Sequence, residues 1–473
     1  MKYIILTAFI FSFSLLQSKA QTNPAITSWL RNTTGITGRH YVNGNSTPIV
    51  DATLANVQSV KYSTNWVYAT TNGIPSYITG PFLDGNPSLA TSQNGAIFKF
   101  PLTPTQNTGT ATATTGGNIG IFINGVALFD YRDGVSWKNS QSKLCGGPIM
   151  PACIGDGVWN RDAIVAEKGG FDCSKAHPAM GNYHHHQNPS AFKLDLNVIS
   201  TICNTYNSDG LYVIDSTKHS PLIGFAYDGF PIYGAYGYKN IDGSGGVIRM
   251  KSSYALRNIT TRTTYSNGTN VTPGPAVSTT YPIGYFREDY QYNTTSAATP
   301  DYLDEHNGRF CVTPEYPNGI YCYFSTVNAN WNSAYPYVVG STFYGNVVAA
   351  KVNSITETVT TYSPAATTQL NLSVYLQGLY ASGAMSHYLK NAGKTINALM
   401  TDTITVELHQ TTSPYSLIES AKSVLKTDGT STLTYSGSRT GNTYYIVVKH
   451  VGSVETWSKS AVTFTANTNY SLK

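Results

Sequence analysis

The sequence predicts a mainly β protein: a large disulfide-stapled β-rich domain with few short helices, followed by a small C-terminal β-sandwich. Short runs of β-branched and aromatic residues recur between turn-forming residues, whereas long helical periodicities are scarce. The chain has six cysteines, an even number that is typical of proteins that fold in an oxidising compartment and form disulfides.

The composition excludes several classes of protein. Only 12% of the 473 residues are charged, about half the ~25% usual for soluble domains, and the 12% aromatic content excludes a charge-rich disordered chain. The formal net charge is +5, without a block of Lys and Arg that could follow a phosphate backbone, so we expect no nucleic-acid partner. The sequence lacks H-E-x-x-H, G-x-S-x-G and P-loop motifs, which disfavours zincin proteases, α/β-hydrolases and nucleotide enzymes.

The first 20 residues predict an export signal that is cleaved near Ala20. Lys2 supplies the positive end, residues 3–16 are almost wholly apolar, and small residues precede the cleavage position. A run of about 14 apolar residues is too short for a membrane-spanning helix, which needs ~20. We therefore expect a secreted or outer-surface protein with no transmembrane segment in its mature form; a single membrane anchor is the alternative.

The predicted elements follow the chain in this order. Strands are predicted at 96–100, 119–124, 211–214, 444–449 and 461–465, because each segment alternates or is rich in β-branched and aromatic residues. Helices are predicted at 162–168 and, interrupted by Gly393, at 384–398. A polar, Thr-rich stretch at 353–370 predicts a linker, with an edge strand that leads into a new domain as the alternative. The predicted organisation is a signal peptide (1–20), a β-rich domain (21–352), this linker, and a β-sandwich (371–473).

Cysteine spacing predicts one disulfide and leaves others open. Cys311 and Cys322 flank a Pro-Asn-Gly turn signal, so we expect them to pair across a small hairpin. The other four, at positions 145, 153, 173 and 203, allow three pairings. A cysteine zinc site is disfavoured because no C-x2-C pair occurs.

Histidine is distributed unevenly, and this marks a candidate metal site. Because side chains alternate along a strand, His184 and His186 would point to one face and His185 to the other. Two imidazoles on one face can share a metal ion with a third ligand from another segment, for which His219 is the first candidate and His177 the second. Copper(II) or zinc suits such ligands, with copper(II) slightly preferred. The alternative is a strand of polar residues that binds nothing.

Two further segments carry polar candidates. Asp228 lies in an Asp-Gly turn among aromatic residues, where it could orient a histidine ligand, act as a general base, or simply form the turn. Glu305 and Arg309 lie in one short loop, which could bind a polar substrate or form a salt-bridged turn.

These residues resemble the YHYH-domain family of secreted proteins. The match includes Tyr183 and the histidines that follow it, with His185 standing where the family motif has its second Tyr. Further blocks lie at 71–75, 123–126, 171–178, 219–234 and 303–309. The resemblance implies that His184, His186, His219 and Asp228 share one site, with Tyr183 as a further binding candidate, and it implies no particular reaction. Residues 374–380, 404–408 and 444–450 resemble β-domains at the ends of exported Bacteroidetes proteins.

Three functions follow from these observations, and the sequence leaves open whether the protein is an enzyme. The first is an exported protein that binds copper or zinc through its histidine cluster. The second is a metal- or His/Asp-dependent hydrolase of an extracellular polar substrate, with Asp228 as the catalytic residue. The third is a non-catalytic module that binds glycans or surface polymers, which the 35 tyrosines favour.

Overall fold

The computed structural model describes residues 23–83, 95–147, 152–198, 200–294, 299–364, 367–381 and 383–472. The predicted signal peptide lies outside the described residues. The protein is mainly β, as predicted. Its described α-helices are short: α1 (Pro24–Thr27), α2 (Ala163–Glu167) and α3 (Tyr388–Asn391).

The strands follow in chain order. The first group is β1 (Thr37–Val42), β2 (Asn45–Leu54), β3 (Val57–Tyr62), β4 (Trp66–Thr71), β5 (Ile78–Thr79), β6 (Ala96–Pro101), β7 (Asn118–Phe122), β8 (Ala127–Phe129), β9 (Arg132–Lys138), β10 (Lys143–Gly146), β11 (Asn160–Asp162), β12 (Ala176–Ala179), β13 (Asn182–His185), β14 (Leu222–Ala226), β15 (Pro231–Tyr233), β16 (Tyr236–Tyr238), β17 (Val247–Arg249), β18 (Tyr254–Leu256), β19 (Tyr290–Tyr292), β20 (Gly308–Cys311), β21 (Ile320–Phe324), β22 (Ala350–Val352) and β23 (Thr360–Thr361). The second group is β24 (Thr367–Ser373), β25 (Tyr380–Ala381), β26 (Ala384–Met385), β27 (Met400–His409), β28 (Leu417–Lys426), β29 (Thr430–Ser436), β30 (Thr443–Lys449), β31 (Thr456–Trp457), β32 (Val462–Thr463) and β33 (Asn467–Ser471). Short 3-10 turns lie at Asn139–Gln141, Lys168–Gly170, Phe192–Leu194, Thr201–Asn204, Arg287–Asp289, Gln377–Leu379 and Gly437–Arg439.

Most of the predicted elements are present. Strands β6, β7 and β30 and helix α2 confirm four predictions, and β32 is a shorter strand than predicted. The predicted strand at 211–214 is wrong: its side chains alternate, with Val213 66% exposed between buried neighbours, but the segment pairs with no strand among the described residues. The predicted helix at 384–398 shrinks to α3, because Gly393 adopts a left-handed φ of 66° just after it.

The chain divides into two compact units. The larger takes the residues up to Lys239, then Val247–Phe310 and Tyr321–Tyr362; the smaller takes Asn240–Gly246, Cys311–Ile320 and Ser363–Lys473. The larger unit is organised around an eight-stranded sheet of order β12-β13-β8-β7-β14-β15-β21-β20 and a five-stranded sheet of order β22-β6-β4-β3-β23. Strands β7, β14 and β15 are almost fully buried, whereas β12 lies at the sheet edge.

The smaller unit is a β-sandwich. One sheet has the order β29-β24-β33, and the other has the order β28-β27-β30-β31 with β32 paired to β30. Alternate residues of β24 and β27 point into a shared apolar core, which includes Leu370, Leu372, Ile404, Val406 and Phe464.

Two disulfides form in the described chain, Cys145–Cys153 and Cys173–Cys203. They select one of the three pairings that the sequence left open. Cys311 and Cys322 are both buried, and their predicted pairing stays a prediction.

No helix in the described part of the chain is both long enough and apolar enough to cross a membrane.

Candidate metal centre

A single hairpin presents the three histidines of the candidate site. Strands β12 and β13 pair antiparallel with His177 opposite His184. Their two-residue turn, Met180-Gly181, has positive φ at both positions (51° and 81°), as a type I′ turn requires. His186 lies two residues after His184, so its ring returns to the same face, as the alternation predicted.

The three imidazoles converge in a buried space. One ligand atom of each of His177, His184 and His186 lies within 4.8 Å of the others, and the residues are only 1–3% exposed. The shortest approach, 3.0 Å, joins Nε2 of His184 to Nε2 of His186. Two nitrogens at 2.0–2.1 Å from one tetrahedral ion lie about 3.3 Å apart, so this spacing is close to that of two ligands on a shared metal.

Backbone carbonyls fix which ring nitrogen of each histidine carries the proton. His184 Nδ1 lies 2.8 Å from the carbonyl oxygen of Asn182, and His186 Nδ1 lies 2.6 Å from that of Asp130. A carbonyl only accepts hydrogen bonds, so both Nδ1 atoms donate. When both rings are neutral, their Nε2 lone pairs face each other, an arrangement that a shared cation stabilises.

Glu167, the last residue of α2, places a carboxylate beside this cluster. Its Oε2 lies 3.1 Å from His177 Nε2 and 3.2 Å from His186 Nε2. This oxygen is buried and has no hydrogen-bond partner of acceptable geometry among the described residues. Burial raises the pKa of Glu167, but the His177 and His186 imidazoles outweigh it and hold that pKa below its usual range. The donor set of three imidazoles and one carboxylate fits a transition metal ion.

Aromatic rings enclose the imidazoles. Phe129, at the end of β8, stacks on His184 with ring centroids 3.7 Å apart, and Phe171 packs edge-on against His177 at 4.9 Å. Burial, together with the neighbouring His186 and His177, lowers the pKa of His184 well below its usual value. The neutral ring is the form that binds metals.

The opposite face of β13 is structural. His185 Nε2 lies 2.8 Å from the Tyr77 hydroxyl, and the ring packs edge-on against Phe122. Tyr183, the predicted binding residue, is fully buried and donates its hydroxyl to Asp172 Oδ2 at 2.8 Å. Asp172 also accepts the backbone N–H groups of Gly80, Ser174 and Ala176, so Tyr183 supports the start of β12.

His219, the first candidate for the third ligand, lies outside this cluster. Its Nδ1 donates to the carbonyl of Ser220, and its ring packs against Tyr233 and Tyr238 at 5.1 and 4.7 Å. Burial, followed by the charge of Arg309, outweighs the Ser220 hydrogen bond and lowers the pKa of His219 to about 4. His177, the second candidate, takes the position facing His184 instead.

Asp228 lies in its predicted turn and is fully buried. It accepts hydrogen bonds from the Tyr323 hydroxyl at 2.6 Å and from the backbone of Gly345 and Phe230 at 2.8 and 3.2 Å. Burial raises its pKa to about 6. These contacts are those of a turn-forming residue, and its catalytic role stays a prediction.

The predicted substrate loop contains one exposed and one bridging side chain. Glu305 is exposed, with Oε1 3.8 Å from His306 Nε2. Arg309 donates to the backbone carbonyls of Tyr238, Lys239 and Pro300, which ties neighbouring loops together. Binding roles for both stay predictions.

Sequence reasoning missed Glu167 and the Asp130 carbonyl. Glu167 ends a helix that was predicted, but no spacing signal places a helix end next to a distant hairpin.

Together, these features define a β-sheet protein with a buried three-histidine cluster in its larger unit. The chain belongs to the YHYH protein family: the model of that family matches residues 97–336, slightly more than half of the chain. The match contains β12, β13 and α2, and therefore the whole cluster. A search of the curated proteins finds no matching sequence. The resemblance of the C-terminal part to exported Bacteroidetes β-domains lies beyond this match and stays a prediction.

Proposed function

We propose that the protein binds one transition metal ion through His177, His184 and His186. One observation supports this most directly. The Nε2 atoms of His184 and His186 lie 3.0 Å apart, and the Nδ1 atom of each ring donates to a backbone carbonyl. Without a cation or a proton between them, two lone pairs would face each other in a buried space, which is unfavourable. Glu167 supplies one negative charge, which offsets part of the charge of a divalent ion.

Copper(II) is the proposed ion, ahead of zinc. Imidazole binds both, and copper(II) stands above zinc in the affinity order of divalent first-row metals. Calcium and magnesium prefer sites built of oxygen ligands, which this cluster does not provide. Competition between equimolar copper(II) and zinc for the metal-free protein tests this order; retention of zinc alone would contradict it.

Metal analysis of purified variants tests the site itself. We expect about one ion per chain in the unmodified protein and almost none in His184→Ala/His186→Ala, because that variant loses two of three imidazoles. His219→Asn is the matched control, since His219 is a half-buried histidine of the larger unit that lies outside the cluster. Equal metal content in the double variant and the unmodified protein would overturn the proposal, as would loss of metal in folded His219→Asn alone.

A second candidate function, metal-dependent hydrolysis, is favoured by Glu167. Its side chain is 23% exposed at the edge of an otherwise buried cluster, so it places a carboxylate between solvent and the histidines. There it could accept a proton from a water molecule that a bound metal ion makes more acidic. Glu167→Gln separates the two functions: a hydrolase would lose turnover while the three histidines still hold metal. Full turnover by that variant would exclude Glu167 as the base.

We also propose that the protein is exported to the cell exterior or the outer surface. The Cys145–Cys153 and Cys173–Cys203 disulfides support this, because such bonds persist in oxidising compartments. Fractionation of cells that produce the full chain, followed by N-terminal sequencing, tests it; intact Met1 in a cytoplasmic fraction would contradict it.

A further inference from the structure

A second candidate site lies in the larger unit, apart from the histidine cluster. It is a cavity of about 500 Å³ that opens to the surface. Such a volume lies within the ~300–1,000 Å³ typical of small-ligand sites. Five tyrosines line it: Tyr254, Tyr265, Tyr290, Tyr292 and Tyr335.

The ribbon formed by β18 and β19 presents three of these rings on one face. Its register pairs Tyr254 directly with Tyr292, and Tyr290 lies two residues before Tyr292 on the same strand. Side chains two residues apart share a face, so the three tyrosine side chains lie on one face of the ribbon, which we call the aromatic platform. Ring centroids of Tyr254 and Tyr292 are 5.7 Å apart, and Tyr335 stacks under Tyr290 at 3.9 Å, which holds that ring in place.

Planar polar side chains surround the platform. Asn160, Asn267, Arg287 and Glu288 all line the cavity. These groups donate and accept hydrogen bonds in fixed planes, so they can pair with adjacent hydroxyl groups of a ligand.

Each arginine of the lining is paired with a carboxylate, which argues against an anionic ligand. Arg132 is held by both oxygens of Asp130, at 2.6 and 3.0 Å. Arg287 Nε lies 3.2 Å from Glu288 Oε1. Each guanidinium therefore already has a carboxylate partner, which weakens its attraction for a further acidic group.

We propose that this cavity binds a neutral oligosaccharide. The C–H faces of the sugar rings stack on Tyr254, Tyr290 and Tyr292, because aromatic faces attract apolar C–H groups while leaving the ring hydroxyls free. The hydroxyls pair with the planar side chains around the platform. This site is independent of the metal proposed at the hairpin, since none of the residues that line it is a ligand there.

Titration calorimetry on the full chain with neutral cello-, xylo-, manno-, laminari- and chito-oligosaccharides tests the proposal. We expect at least one to bind, with the same affinity in the presence of EDTA and in His184→Ala/His186→Ala. Tyr292→Ala should weaken that binding roughly tenfold, whereas Tyr292→Phe, which keeps the ring, should retain most of it.

Tyr388→Ala is the matched control, because Tyr388 is 52% exposed and lies in the smaller unit. It should leave binding unchanged, and circular dichroism checks that each variant is folded. Absence of binding by all neutral oligosaccharides at millimolar concentration would overturn the proposal. So would binding of oligogalacturonate alone, or full affinity in folded Tyr292→Ala.

Discussion

At the scale of single residues, the two faces of β13 have separate roles. His184 and His186 turn their Nε2 atoms toward each other, and His185 turns toward Tyr77 and Phe122. The departure of this chain from the Tyr-His-Tyr-His motif falls at His185, on the face away from the cluster. A phenol at that position is therefore not required for the metal site.

Restoring the motif with His185→Tyr tests this division of roles. We expect an unchanged metal content, because the side chain at 185 faces away from the three imidazoles. The free energy of unfolding should change by up to about 3 kcal/mol, since a larger ring must fit a fully buried space. Elemental analysis and thermal unfolding measure the two effects. A folded variant that lost its metal would show that His185 helps to hold the ion.

At the scale of elements, the β12–β13 turn sets the register that brings His177 opposite His184. Met180 occupies a left-handed position (φ 51°) although it is 96% exposed and contributes little packing. Asn is several-fold enriched in this conformation, so Met180→Asn should stabilise the hairpin by about 0.5–1 kcal/mol. Gly181→Ala should destabilise it by about 1–2 kcal/mol, because Gly181 has φ 81°. Scanning calorimetry of the two variants measures both changes in stability. Changes of the same sign would contradict the proposed role of the turn.

The Cys173–Cys203 disulfide closes a 30-residue loop that contains this hairpin, whereas Cys145–Cys153 closes a loop of only 8 residues. Loop-closure entropy grows with loop length. Replacing both cysteines of a pair by Ala should therefore lower the free energy of unfolding, by about 3–4 kcal/mol for Cys173–Cys203 and about 2–3 kcal/mol for Cys145–Cys153. Only the first variant should also weaken metal binding, because its loop carries His177, His184 and His186. Equal metal affinity in the two variants would show that the hairpin holds its shape without this bond.

Alternation of side chains along the sequence predicts the features that depend on local backbone geometry, namely strands and which side chains share a face. This alternation is sufficient to predict strands β6, β7 and β30 and the shared face of His184 and His186. Alternation predicts an extended backbone but not a pairing partner, which is why 211–214 is extended without being a strand. Likewise, the packing of α2 brings Glu167 to the cluster and the hairpin turn selects His177 over His219. Both depend on contacts between segments that no local spacing encodes.

At the scale of the whole molecule, buried aspartates paired with tyrosines recur through the larger unit. Asp162, Asp172 and Asp228 are all fully buried. Each accepts a hydrogen bond from a tyrosine hydroxyl, at 2.7, 2.8 and 2.6 Å, and others from backbone N–H groups of a turn. The Tyr–Asp hydrogen bond is thus a repeated device that anchors backbone N–H groups inside the larger unit at these three positions.

This device predicts how stability depends on pH. Burial raises the pKa of Asp162 and Asp172 to about 7 and that of Asp228 to about 6, from an ordinary value of 3.8. The folded chain therefore binds more protons than the unfolded chain in this range, so the free energy of unfolding falls as pH rises. Above pH 7 histidines of the unfolded chain have lost most of their protons, which leaves the carboxyl groups to dominate. Glu288, whose pKa burial also raises to about 7, adds to these carboxyl groups. His184, His185 and His219, whose pKa values burial lowers, offset part of the effect because they still bind some protons in the unfolded chain. About one net extra proton bound at pH 7 gives a slope of about −1.4 kcal/mol per pH unit.

Asp162→Asn isolates one carboxyl group in this pH dependence. Asn still caps α2 through its Oδ1, which would accept from the backbone N–H groups of Ile164 and Val165, and its amide can donate to the Tyr337 oxygen. The fold should therefore persist while the slope near pH 7 falls by about half, because Asp162, with a pKa of about 7, binds about half of the one net extra proton. Denaturant unfolding between pH 7 and 8 in EDTA measures this. Asp209→Asn, at a site 83% exposed, is the control and should keep the original slope. A free energy of unfolding that rises with pH in the unmodified protein would show that these aspartates are ionised throughout this range. A slope that Asp162→Asn leaves unchanged would show the same for Asp162.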